Sequence, residues 1–89
     1  MATVRLDSML RDFVSRRTVT KDATSVEELL GQLETEFPKL RHRLRDETGV
    51  VRRFVKVFVN GEEIGALQGL DTPLKPNDEV DILHSIQGG

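Results

Sequence analysis

The sequence predicts an α+β domain, a mixed β-sheet with one main helix packed across one face. Three observations carry this. Val26, Leu29, Leu30, Leu33 and Phe37 recur at helical spacing and form a single apolar stripe. Val4-Arg5-Leu6 near the start and Val80-Asp81-Ile82 near the end alternate apolar and charged residues, the period of half-buried strands. Between them, Val50 to Val59 is the strongest strand signal in the chain.

Taken in order, Val4 and Leu6 point to one side of a first strand, with Thr3, Arg5 and Asp7 on the other. Ser8 to Ser15 reads as a long hairpin loop tucked against the core through Met9, Leu10, Phe13 and Val14. Arg16 to Lys21 reads as a short second strand, poor in apolar residues and therefore near an edge. The main helix opens on a capping box, Thr24 with Glu27 or Ser25 with Glu28, in which a hydroxyl and a carboxylate satisfy free backbone N–H groups. Pro38 closes it, and Leu40 and Leu44, one turn apart, indicate a short second helix.

Asp46-Glu47-Thr48-Gly49 is a turn. The strand from Val50 to Val59 turns Val51, Val55, Val57 and Val59 to one face and Phe54, Lys56 and Phe58 to the other. Asn60-Gly61 is a tight-turn signal before a short return strand at Glu62-Glu63-Ile64. Residues 65–77 are irregular, anchored by Leu67, Leu70 and Leu74. On the last strand Val80, Ile82 and His84 face inward, and Asp81 and Leu83 face outward. The first and last strands have no other evident partner. Pairing them centrally, with the helix over one face, gives a two-layer β-grasp domain over residues 1–84. Residues 85–89 are expected to form a flexible C-terminal tail.

Composition narrows the function. The chain has 89 residues, one domain's worth, with 37% apolar and 31% charged residues. Lys and Arg total 13 against 15 acidic residues, and a net charge of −2 argues against a general nucleic-acid binder. No stretch approaches the roughly 20 apolar residues of a membrane helix. The alternating, charged N-terminus reads as a strand rather than a signal peptide, so a cytoplasmic protein is expected. With no cysteine there is no disulfide, no thiolate catalysis and no sulfur-ligated metal.

Catalytic constellations are nearly absent. His42 and His84 stand in no metal-ligand spacing, and Ser8, Ser15, Ser25 and Ser85 lack a nucleophile context. Gly61, Gly65 and Gly69 repeat every four residues, but without the Lys and Ser/Thr of a phosphate-binding loop they read as loop glycines. Arg41, Arg43, Arg45, Arg52 and Arg53 form a local basic cluster, read first as a solvated face and second as a site for an acidic partner. What stands out is the end, Gln87-Gly88-Gly89, directly after an apolar strand. Glycine is about 7% of an average chain, so a terminal pair arises by chance in roughly one chain in two hundred. Lacking Cβ atoms, two glycines can lie flat in a narrow channel and present a terminal carboxylate as the only reactive group.

Three stretches carry a family resemblance: Phe54-Val55-Lys56-Val57-Phe58-Val59-Asn60-Gly61, Leu70-Asp71-Thr72-Pro73-Leu74-Lys75, and Asn77-Asp78-Glu79-Val80-Asp81-Ile82 followed by Gly88-Gly89. Together they resemble the ubiquitin-like sulfur-carrier family, which includes the small subunit of molybdopterin synthase, the thiamine-pathway carrier and a carrier used in cysteine synthesis. The resemblance implies a carrier and not an enzyme, although one that can serve as the small subunit of a synthase complex. Gly89 would be adenylated by an ATP-dependent, ubiquitin-activating-type enzyme and converted to a thiocarboxylate, with Gly88 its required neighbour. The chain itself would bind no cofactor and no metal, ATP being consumed by the activating partner. The second partner would be a sulfur-accepting synthase, with molybdopterin the first expected destination and cysteine or thiamine next.

Phe54, Phe58 and Leu83 are expected to form an exposed apolar patch that meets these partners, together with Ile86 and Gln87. Two other readings stay open. One is a protein modifier joined through Gly89 to lysines, and the other is a plain β-grasp interaction domain.

Overall fold

The computed structural model describes residues 1–14 and 18–84. The predicted tail, 85–89, and the first part of the predicted second strand lie outside the described residues. Strand β1 spans Ala2–Leu6, helix α1 Ser8–Arg11, β2 Thr18–Lys21, α2 Val26–Glu36 and α3 Pro38–Leu44. Strand β3 spans Val55–Val59, β4 Glu62–Glu63 and β5 Glu79–His84, with 3₁₀ turns at Ile64–Ala66 and Gly69–Asp71 between the last two. The sheet order is β2-β1-β5-β3-β4. The first and last strands pair in parallel at the centre, Val4 beside Val80 and Leu6 beside Ile82. Strands β2 and β3 flank this pair antiparallel, and β2 occupies an edge.

Alternation on the central strands sends Val4, Leu6, Val55, Val57, Val59, Val80 and Ile82 to one face, all buried. Helix α2 covers that face with Val26, Leu29, Leu30 and Leu33, each without solvent exposure. It starts where Ser25 Oγ accepts the Glu28 N–H at 3.1 Å. The Glu28 carboxylate reaches one residue further back than a standard box, to the Thr24 N–H at 2.7 Å. Phe37 ends α2, and Pro38 begins α3, whose Leu40 and Leu44 add to the core. The backbone of residues 72–74 fastens the start of α2: the Leu74 N–H donates to Thr24 O, and the Val26 N–H to Thr72 O.

Three expectations need correction. Ser8 to Ser15 is no plain loop: Asp7 accepts the Met9 and Leu10 N–H groups and nucleates the single turn of α1, which buries Leu10. Leu67 is no anchor, being among the exposed apolar side chains, whereas Leu70 and Leu74 do contact or join the core. The strand from Val50 to Val59 is half as long as its apolar pattern. Residues 50–54 leave the sheet because their backbone groups find other partners. Val50 O accepts from Asp46, the Arg52 N–H donates to Leu44 O, and Val51 bridges Arg45. Pairing with β5 starts only at Val55 opposite His84.

Candidate functional site

The end of β5 leads toward the tail, so the residues around Leu83 and His84 set its surroundings. On the outer face of the sheet, Leu83 is opposite Lys56, and Phe58 is opposite Asp81 on one side and Glu63 on the other. Arg5 grips Asp81 with two bonds, Nε to Oδ1 at 2.7 Å and Nη2 to Oδ2 at 3.1 Å, and also reaches Glu79. These bonds, that to Asp81 first, raise the Arg5 guanidinium above its usual value. Lys56 lies 3.7 Å from Glu63. Phe58 and Leu83, the latter 40% exposed, therefore sit among ion pairs instead of in an open apolar field.

The structure does not bring Phe54 to them. The turn at Arg53-Phe54 interrupts the strand period, and Phe54 packs against the core, its ring centroid 4.7 Å from that of His84. The predicted three-residue patch is thus split, with Phe58 and Leu83 on the outer face of the sheet and the partly buried Phe54 packed against the core. Gly88, Gly89, Ile86 and Gln87 lie outside the described residues.

The inner side of the strand end has its own structure. The His84 N–H donates to the Asp7 carboxylate, which also caps α1, so one acid holds two elements together at the base of the tail. Nδ1 of His84 is buried without a hydrogen-bond partner among the described residues. Beside it a cleft of about 310 Å³ runs between Ser8, Asp12, Phe13, Arg43 and His84. A second cleft of about 470 Å³, lined by His42, Arg43, Arg52 and Phe54, adjoins it through Arg43. The Arg43 guanidinium lies over the Phe13 ring at 5.0 Å, and that of Arg52 over Phe54 at 6.0 Å. Neither Asp7 nor this pairing of arginines with rings was read from the sequence. Asp7 directly before Ser8-Met9-Leu10 is a legible N-cap signal, but the ring contacts join residues far apart in the chain.

Among the described residues no group of three His, Asp or Glu side chains is placed to hold a metal. No helix there is long and apolar enough to cross a membrane.

Comparison with known proteins gives a consistent picture. The model of the ThiS family matches residues 4–89. The sulfur carrier protein CysO of Mycobacterium tuberculosis is 29% identical over 90 residues, covering 98% of this chain and 97% of that one. Among solved structures, small archaeal modifier protein 1 from Methanosarcina acetivorans superposes with a TM-score of 0.91 at 26% identity, over 99% of this chain and 95% of that one. A chain of the Amycolatopsis orientalis BexX/CysO complex superposes with a TM-score of 0.88 at 28% identity, over the full length of both. A central parallel pair of terminal strands, one helix across the sheet and a family match that runs from the first strand to the last glycine agree: this chain belongs to the ThiS family and is a ubiquitin-like sulfur carrier of β-grasp fold.

Proposed function

We propose that Gly89 is the group that carries the sulfur. The supporting observation is that the family match extends to residue 89 and so includes Gly88-Gly89. A carboxylate is a poor electrophile. Attack of its oxygen on the α-phosphorus of ATP, with pyrophosphate leaving, would give an acyl-adenylate with a good leaving group. A reduced sulfur nucleophile then adds to the carbonyl carbon and AMP departs, leaving a thiocarboxylate. The activating enzyme consumes the ATP, and the chain serves as its substrate. The absence of cysteine fits, since no side-chain sulfur is needed.

The likeness to CysO orders the destinations differently from the sequence reading: cysteine synthesis moves ahead of molybdopterin. A CysO also occurs in complex with BexX, which supports docking of this chain on a partner protein; that partner would be the sulfur acceptor. Phe58 and Leu83 are the outer-face residues assigned to partner contact, with Ile86 and Gln87 read as the chain enters the partner. Phe54 acts from the inner side. A second reading, conjugation through Gly89 to lysines of other proteins, is favoured by the likeness to an archaeal modifier protein.

Pyrophosphate exchange into ATP by the cognate activating enzyme tests the proposal. Exchange is expected with the full chain and not with a chain lacking Gly88 and Gly89. Equal exchange with both would overturn it. Protein conjugates that require Gly89, with no thiocarboxylate, would establish the modifier reading instead.

A further inference from the structure

The basic cluster is the feature that the carrier chemistry leaves unexplained. Arg5, Lys21, Arg45 and Lys56 each have a carboxylate within ion-pair distance, whereas Arg41, Arg43, Arg52 and Arg53 have none among the described residues. The chain has 15 acids, so this is a matter of placement and not of supply. Asp46 acts on Arg52 through space, but its carboxylate accepts its hydrogen bonds from Thr48 and Val50.

A merely solvated arginine face would leave its side chains loose. Here Arg43 rests on Phe13, and Arg52 rests on Phe54 while its Nε donates to His42 O at 2.9 Å. Guanidinium groups held this way lose little further freedom on binding, and their planar forks match carboxylates. The two clefts that meet at Arg43 continue this surface to His84, the last described residue before the tail. Asp12 on the far rim, like the net charge of −2, disfavours a polyphosphate chain along the whole surface.

We propose that the face built from Arg43 and Arg52 with Phe13 and Phe54 docks an acidic surface segment of the enzyme that activates Gly89. The identity of that partner rests on the carrier reading; the carboxylate preference rests on the face alone. Seated there, the segment fixes the domain at the root of the tail, opposite the outer sheet face that carries Phe58 and Leu83.

Two measurements on the intact chain test this. In an amide chemical-shift titration with a hexaglutamate peptide, shifts are expected at residues 42–43, 52–54 and 84. They should vanish at about 1 M salt, where screening acts within ~3 Å, and in the Arg43→Gln/Arg52→Gln variant. Shifts elsewhere, no shifts, or tighter binding of an oligothymidylate of equal charge would overturn the proposal. With the activating enzyme, the same variant should show a KM for the carrier raised about tenfold, kcat unchanged and a flattened salt dependence. A variant with wild-type melting temperature and wild-type KM would overturn it. Failure of the unmodified chain to be adenylated would refute the carrier reading and the partner's identity, while the peptide titration would still decide the carboxylate site.

Discussion

Arg45 is the cation whose loss should cost the fold most. Its guanidinium bonds Glu34 at 2.7 Å, Gly49 O at 3.1 Å and Glu27, and so ties α2 to the turn after α3. The bond to Glu27 is the first cause of its raised pKa. Charge-assisted bonds to a largely covered group are worth more than surface pairs, so Arg45→Met should destabilise by about 2 kcal/mol in urea denaturation. Arg41→Met, one helical turn earlier and without an ion-pair partner among the described residues, should change stability by under ~0.5 kcal/mol. His84 makes the opposite case. Its buried Nδ1 has no partner among the described residues, so His84→Phe, which keeps a ring against Phe54, should leave the melting temperature equal or higher. A marked fall would mean that the imidazole makes a bond that this reading lacks.

At the scale of elements, two turns carry a pH dependence. The Asp46 carboxylate is held below the usual carboxylate range first by the Thr48 hydroxyl and then by the Val50 N–H. Asp78 is lowered first by the Lys75 N–H and then by the Asn60 amide. A carboxyl group lowered on folding contributes stability above its unfolded value of about 3.9, and that stability is lost as pH falls through the folded value. Denaturation midpoints should therefore drop below about pH 4, and the drop should be shallower in Asp46→Asn, whose single amide oxygen can accept the bonds that Asp46 Oδ1 accepts without titrating.

Elements also show where sequence reading reached its limit. The α2 stripe was legible because helical burial repeats locally, and Leu33→Ala in it should cost about 3 kcal/mol. The late start of β3 was not legible, because Val50 and Val51 suit a strand and what removes them is a bond partner at the end of α3. That shift took Phe54 from the predicted outer patch to the core side.

For the whole molecule, the sheet order followed from two alternating terminal strands with no other partners, and it places β5 at the centre with its end directed at the tail. The ion pairs across the outer face were not legible, since Arg5 and Asp81 meet only once β1 and β5 are in register. The described core runs from Val4 to Ile82. Deleting Gly88 and Gly89 should accordingly leave the thermal midpoint unchanged while abolishing adenylation. Leu83→Asp on the exposed face should slow adenylation in a normally stable protein; a folded variant with unchanged kinetics would remove that face from the docking site.

The central claim, that the sulfur rides on the C-terminal carboxylate, is tested most directly by intact-mass spectrometry of the chain produced with its activating enzyme and a sulfur donor. The account predicts one oxygen replaced by sulfur, localised to the peptide that contains Gly89. Sulfur on any other peptide, or an unmodified terminus with enzyme, ATP and donor all present, would contradict it.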